Sequence, residues 1–465
     1  MTRRVVRVEG IVPVARGYPA AIVSQGLVFV GGLRGGRVDR DRQFVDLPQK
    51  FRSNGFSDFP IADQSEGDFA VDGWGAHENL DTVIKAAGSD EMQVLRIHIW
   101  MRDKRLFPVY ERIRMAWQEV PAPSSCLGVA DVAGRLGRSL GLEAIAVVPG
   151  ENPLFPERST TRTFDNEDFP SAGFYSQAVR CGPLVFLAGH IPIETRKPGN
   201  PVILGFADIP EEGRFLATGR SHPDSRQGPI AAQTWFTYER IKDNLAAQGL
   251  SMRDIKHVAV MLQDIRDFGA FHRIHSHFFP ENPPALIICG FNEVGHRGTL
   301  IEIEPLAVDP RANLPVKEFA WPCRAPFAGP AATKIGPFTF FAGIVGLTAE
   351  GALVRHARDL TDEIGRRTVE DLARFESAPG FASQCWAAWS LLNAIANRAG
   401  LPLDRLTKTT IYLRSASDLW IYEEIREAFL SGVGRNLPAA EFVVIHGPGP
   451  VPGAHVQIEA TASDD

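Results

Sequence analysis

Cysteine is scarce: there are five in 465 residues, at Cys126, Cys181, Cys289, Cys323 and Cys385. An odd number at wide spacings argues against a disulfide-stapled scaffold or a zinc site, and suits reduced thiols in a cytoplasmic protein. Long apolar runs are missing as well. No window approaches the ~18 uninterrupted apolar residues of a membrane helix, so no membrane partner is expected. The opening Met-Thr-Arg-Arg-Val-Val-Arg-Val-Glu-Gly places no apolar core behind its basic residues. It reads as an edge strand rather than a signal peptide. A basic excess is also absent: 49 Lys and Arg stand against 55 Asp and Glu, for a net charge of −6. That balance disfavours nucleic acid as a partner, and with it ribonuclease activity.

What is present is ordinary globular composition, with 44% hydrophobic and 22% charged residues. The 43 Gly and 34 Pro are scattered rather than gathered into a linker. The length suggests roughly three domains.

Internal repetition divides the chain. Leu27-Val-Phe-Val-Gly-Gly32, Leu184-Val-Phe-Leu-Ala-Gly189 and Phe338-Thr-Phe-Phe-Ala-Gly343 are short apolar runs closed by glycine, as buried strands entering turns are. Trp74, Trp235 and Trp386 each precede a glycine (Gly88, Gly249, Gly400) by 14 residues. The stretches between have helical periodicity, and the glycines suit left-handed caps. Packing is the expected role of these tryptophans. Strands follow at Val94–Trp100, Ile255–Leu262 and Leu406–Leu413, then second helices from Phe107, Phe268 and Leu419. Closing strands are read at Leu142–Val147, Leu300–Glu304 and His455–Glu459. The predicted fold is α+β: three β-β-α-β-α-β-β domains at 1–150, 160–310 and 318–465, helices on one sheet face. Burying the other face calls for association of the three sheets, here within one chain.

Phe174-Tyr-Ser-Gln-Ala-Val179, Leu187-Ala-Gly-His-Ile-Pro192, Lys408-Thr-Thr-Ile-Tyr-Leu413 and Pro283-Pro-Ala-Leu286 with Leu300-Ile-Glu-Ile-Glu304 resemble signature segments of the RidA/YjgF (reactive intermediate deaminase) family. The resemblance implies chorismate-mutase-like domains around a pseudo-threefold axis, with sites in clefts between adjacent copies. It also implies hydrolysis of imines or enamines formed from amino acids. In that family an Arg clamps the substrate carboxylate, a Glu handles water, and a Ser and a Tyr shape the pocket. The Arg position is here Ser124, Leu286 or Ala440, and the Ser position Gly31, Ala188 or Ala342. The Tyr is kept as Tyr18 and Tyr175 but becomes Gly329. The Glu position reads Gly141, Glu302 and Gln457, so no copy has the full set.

The second copy keeps most, and Glu302 and Tyr175 are the leading catalytic candidates. Alternation puts Glu302 and Glu304 on one strand face, where mutual repulsion can raise one pKa. Glu304 has counterparts in Glu143 and Glu459, which suits a structural role. His190, in place of the family's Gln, could move a proton or be a bland loop residue. Arg297 could replace the missing clamp or lie in solvent. His272 takes a cleft-facing helix position. The spacing of His272, His275 and His277 is poor for a metal, and no metal or cofactor is expected. Ala188, Tyr18 and Cys126 complete the expected lining; Cys126 and Cys289 read better as buried apolar groups than as nucleophiles.

Between strand glycine and helix Trp lie long inserts, with Arg34-Gly-Gly-Arg-Val-Asp-Arg40 and His222-Pro-Asp-Ser-Arg226 read as charged loops controlling access. The expectation is a divergent hydrolase or deaminase acting on a small imine, enamine or aromatic-catabolism intermediate. It would be a pseudo-trimeric monomer with a small-molecule substrate, further homodimerisation being open. The alternative is a non-catalytic ligand-binding or holdase-like protein using the same clefts.

Overall fold

The computed structural model describes residues 3–15, 17–36, 47–48, 64–133, 138–159, 168–431 and 436–464. Its fold is mixed α+β, built on three sheets. The first has strands β1 (Arg4–Val6), β2 (Ala21–Ser24), β3 (Leu27–Leu33), β4 (Val94–Met101), β5 (Ser124–Gly128) and β7 (Leu140–Val147). Their spatial order is β1-β2-β3-β7-β4-β5. The second sheet, ordered β11-β10-β12-β9-β8, uses β8 (Ala178–Cys181), β9 (Leu184–Leu187), β10 (Ile255–Leu262), β11 (Ala285–Gly290) and β12 (Ile301–Val308). The third uses β13 (Val316–Phe319), β14 (Ala332–Ile335), β15 (Phe338–Phe341), β16 (Leu406–Leu413), β17 (Ala439–Val444) and β18 (Val456–Ser463). Its far edge is extended by β6 (Asp131–Val132), a strand from the first segment of the chain pairing with β17.

In each sheet a hairpin leads to the closing strand, which pairs antiparallel with a long strand (β4, β10 or β16). That long strand pairs in parallel with the next (β5, β11 or β17) across a helical connection. The register of all three long strands slips at one point, between Val94 and Arg96, Ile255 and His257, and Leu406 and Lys408. Such a bulge re-aims the following side chains and tightens the local twist.

The helices are α1 (Gln64–Ala86), α2 (Phe107–Trp117), α3 (Ser221–Ala246), α4 (Phe268–Phe278), α5 (Glu363–Leu372), α6 (Phe381–Arg398) and α7 (Leu419–Leu430). The glycines after the three Trp-bearing helices take φ of +91°, +70° and +74°. Beside them Ser89, Leu250 and Leu401 donate to carbonyls five residues back, closing left-handed caps. The tryptophans pack: Trp235 and Trp386 are buried and Trp74 half-buried.

The faces away from the helices meet one another. Leu27, Phe29, Phe186, Leu306, Phe338 and Phe340, drawn from all three sheets, form one apolar layer. Trp100, Leu127, Met261, Ile287, Tyr412 and Val443 form a second.

Two expectations about the inserts change. His222–Arg226 is not a loop but the start of α3. Pro223 lies in the first turn, where no intrahelical N–H is needed, and Asp224 accepts from Thr218 N at 2.8 Å. Arg34 is not solvated but buried, as described below. Residues 37–40 of that same segment lie outside the described residues.

Candidate functional site: a buried carboxylate between the first and second sheets

Strand alternation on β12 sends Glu302 and Glu304 to the face away from the helices, opposite Met261 and Ala259 of β10. Both carboxylates are buried, and their surroundings differ. Glu302 reaches the line where the second sheet meets the first. Its Oε2 accepts from Gly295 N at 3.2 Å, and the Ser125 hydroxyl of β5 lies beside it.

Gly189 makes this approach possible. A Cβ there would stand 1.8 Å from Glu302 Oε1 and 2.5 Å from Ser125 Oγ, so only glycine fits. The Gly189 amide donates across the junction to Ser124 O at 3.2 Å. Lys104 Nζ donates to Cys126 O (2.6 Å) and Gly295 O (2.7 Å), tying the Gly295 turn to β5. Burial pushes the Glu302 carboxyl up to about 7, and the neighbouring Glu304 charge acts in the same direction. The Lys104 ammonium, the Gly295 amide and the Ser125 hydroxyl pull the other way. A carboxyl poised there can give or take a proton near neutral pH.

Glu304 is a paired charge. Arg96 lies 2.7 Å away, His98 Nε2 2.9 Å, and Ser125 Oγ donates to it at 2.5 Å. His98 Nδ1 meets Glu143 at 2.6 Å, and Glu143 also receives Lys408 Nζ at 2.8 Å. This chain of buried charges joins the three sheets between their two apolar layers. Although burial opposes charge on both, the Glu304 carboxylate holds His98 up to about 9, and Arg96 with His98 holds Glu304 well below the carboxylate range. Two acids two residues apart therefore differ: one is locked as an anion, the other is free to titrate.

The other candidates are spread more widely. Cys126 is buried beside this cluster with Sγ 3.3 Å from Met101 Sδ. Burial pushes its thiol up to about 11, so it packs rather than attacks. Tyr175, half-buried, borders a small pocket of about 40 Å³ with Gln177, Gly189, His190, Arg240 and Asn244. Its hydroxyl accepts from Ala172 N at 3.3 Å.

His190 does not stand ready to move protons. Asn244 donates to its Nε2 at 2.6 Å, so Nδ1–H donates to Ala188 O at 2.7 Å, and burial lowers its pKa to about 4. Both ring nitrogens are occupied and the imidazole is neutral at pH 7. Ala188 is fully buried and serves through its backbone. Arg297 is exposed and, among the described residues, makes no hydrogen bond or ion pair. His272 lies elsewhere, 5.4 Å from the Phe268 ring and beside Ala328 N, where the second sheet meets the third. Tyr18 is at the remaining junction, its OH donating to Glu423 Oε1 at 2.9 Å.

At that junction, between the first and third sheets, Gly141 stands in the register of Glu302. Arg34 fills the vacated space, with Nη1 2.4 Å from where a Gly141 Cβ would be. Its guanidinium forks onto Glu441 at 2.5 and 2.8 Å, both residues being buried. Glu441 holds the register that Ser125 holds in the first sheet. At the junction of the second and third sheets the corresponding group is neutral: Gln457 Nε2 donates to Cys289 Sγ at 2.8 Å.

Residue-by-residue reading missed Lys104, Arg114, Ser125 and the Arg34–Glu441 pair. One signal was available: Tyr110-Glu111-x-x-Arg114 in α2 recurs as Tyr422-Glu423-x-x-Arg426 in α7. Among the described residues no group of three or more His, Cys, Asp or Glu is disposed to hold a metal ion.

Residues 216–309 match the family described as Endoribonuclease L-PSP. RutC family proteins of Pyrococcus abyssi and Pyrococcus horikoshii are each 31% identical over 135 residues, covering 29% of this chain and 86% of theirs. Reactive Intermediate Deaminase A of Arabidopsis thaliana is 29% identical over 26% of this chain and 51% of its own. Among solved structures, a Klebsiella pneumoniae protein described as a candidate endoribonuclease is 32% identical. It covers 29% of this chain and 100% of its own, with a TM-score of 0.28. A chorismatase structure, 14% identical, covers 80% of this chain and 93% of its own at a TM-score of 0.46. With most of the length of its Pyrococcus relatives matched at 31% identity, the chain belongs to the RidA/YjgF family, which includes the RutC proteins.

Proposed function

We propose that this chain is three divergent RidA-type copies around a pseudo-threefold axis, and that it hydrolyses a small imine or enamine in the cleft bearing Glu302. The observation that carries the reading is the Glu302 carboxyl, buried at the junction against Gly189 and Gly295 N and held up to about 7. The name of the Arabidopsis relative, a reactive intermediate deaminase, supports the reaction class. The net charge of −6 weighs against the ribonuclease names of other relatives.

The chemistry needs one proton carrier. Water adds to the carbon of C=N while Glu302 accepts one of its protons and passes it to the imine nitrogen, giving a carbinolamine. The C–N bond then breaks as Glu302 takes the carbinolamine hydroxyl proton and delivers it to the departing nitrogen. Ammonia and a carbonyl compound result. A group with a pKa near 7 suits both directions of transfer. Lys104, beside the acid, stabilises its anionic state once the proton has left, and Tyr175 shapes the neighbouring pocket.

The test is ammonia release from imines generated in situ by an amino-acid oxidase, comparing the wild type with Glu302→Gln. Loss of turnover in a variant that still folds supports the reading. Unchanged turnover removes Glu302 from the mechanism, and ligand binding without turnover in the wild type identifies a binding protein instead.

A further inference from the structure

We propose that the unit built on the second sheet carries a binding site for a small inorganic anion, a halide or a monoanion of its size, held by Arg240 beneath the strap that bears Tyr175. The site stands beside the Glu302 junction and does not rest on the hydrolytic reading.

Six arginines are buried among the described residues: Arg34, Arg96, Arg114, Arg158, Arg240 and Arg426. Arg34 is forked onto Glu441, Arg96 meets Glu304 and Arg426 meets Glu423. Arg114 reaches Ser124 and Glu111, and Arg158 donates to the carbonyls of Met92, Val120 and Pro121. Arg240 alone makes no hydrogen bond and no ion pair among the described residues, and its Nη2 is buried without a partner. Asp243 and Glu194 act on it only through their charge, and Glu194 is already forked onto Arg196 at 2.5 and 2.8 Å. Burial outweighs both and pulls the guanidinium down to about 10, so it remains a buried cation at neutral pH. Such a charge is costly without a counter-ion.

Arg240 stands on α3 and faces the small pocket closed by the strap of residues 168–177. The Phe169 ring of that strap lies over Cζ, and Arg196 meets the same ring at 4.2 Å. A ring covers the face of a guanidinium and leaves its in-plane N–H groups unmet. Among the described residues no Asp or Glu lines the pocket, and His190 on its wall is neutral. Two more polar atoms on the wall are buried without partners, Ser171 Oγ and Asn244 Oδ1. The Ser171 hydroxyl is a second donor for an anion, whereas Asn244 Oδ1 accepts and calls for a water beside the ion. Since about 10–15 Å³ of cavity admits one water, the 40 Å³ here suits a hydrated monoatomic ion and is too small for the chain of an organic acid.

The cation belongs to this unit alone. Five residues beyond the aligned tryptophans, α1 has Asn79, which donates to Arg34 O at 2.7 Å, and α6 has the buried Leu391. An ion held here joins α3 to the strap, and through the strap to Tyr175.

The experiment is thermal melting of the full chain as chloride, and in parallel bromide, replaces gluconate at constant ionic strength. Gluconate is too large for the pocket. The wild type should gain about 1–2 °C in a rise that saturates, as mass action at one site requires. Arg240→Met should remove the response, whereas Arg297→Ala, at an exposed arginine, should keep it. Crystals soaked in bromide give a readout that needs no variant: anomalous density should lie within hydrogen-bond reach of Arg240 Nη2. No halide dependence in the wild type, or an equal response in a folded Arg240→Met chain, overturns the proposal. Should Arg240→Met fail to fold, the soak decides, and absence of bromide from the pocket overturns it. A response lost in Arg240→Met, with turnover indifferent to Glu302→Gln, would sink the hydrolytic reading and leave the ion site standing.

Discussion

The junction between the first and second sheets and that between the first and third are built in one register, yet their polar contents are inverted. At the former, an acid projects from the closing strand and a serine faces it. At the latter, the closing strand offers Gly141, a glutamate replaces the serine, and Arg34 swings into the empty space to neutralise it. The helix arginine there is spoken for by Glu423. One junction keeps a buried acid with no guanidinium on it; at the other the buried acid is forked by Arg34. Unsatisfied buried charge is costly to stability, so keeping it points to use, while pairing it points to structure.

The largest expected effect is on turnover. Glu302→Gln should lower kcat/KM about 10²–10⁴-fold, the usual worth of a positioned general acid–base group. Steady-state kinetics checks this, and the same substitution carried to Glu441 should act on stability instead. Next, Arg34→Ala should destabilise the fold by about 3–5 kcal/mol by stranding a buried carboxylate. Arg34→Leu combined with Glu441→Leu should recover most of that loss, and a denaturant-melt double-mutant cycle reads both. Near-additive single effects would break the comparison, since the pair would then be no unit.

The pH dependence of stability is the third test. Glu302 has a folded pKa raised to about 7 from 4.5. The native state therefore binds a proton the unfolded chain has released. The favourable contribution of the protonated acid is fully present below pH 4.5 and is lost as pH rises through about 7. Glu302→Gln should remove this loss, gaining on the order of 3 kcal/mol relative to the wild type by pH 8. Melts at pH 5 and 8 decide it, an equal difference at both counting against a titrating Glu302.

Smaller effects separate neighbours. Gly189→Ala should displace the Glu302 carboxylate and lower kcat about 10–100-fold, because a small misplacement of the reacting group is enough. Gly32→Ala, whose Cβ would meet Glu441 Oε2 at 2.5 Å, should instead register in the melting temperature. Arg297→Ala, at an exposed position, should move stability by no more than about 0.5 kcal/mol.

The elements were legible because their signals are local. Gly88, Gly249 and Gly400 marked the helix ends, since only a residue tolerant of positive φ closes such caps. The strands at Ile255–Leu262 and Leu406–Leu413 were bounded by their own apolar runs. The start of α3 was misread because charged and proline residues in a first helical turn look like a loop. The site was only partly legible. Glu302 stood out because its register is readable along a strand, but His190 could not be weighed without Asn244, 54 residues away.

Local pattern alone carries the threefold recurrence of elements, the faces each strand presents and the presence of a single acid among three equivalent positions. These follow from periodicity and turn chemistry, which act within a few residues. Tertiary structure decided which charges are paired. Glu304 meets Arg96 and His98, and Glu441 meets Arg34, across separations that no local pattern encodes. Burial then sets the consequence, since in a low-dielectric junction a missing partner moves a pKa.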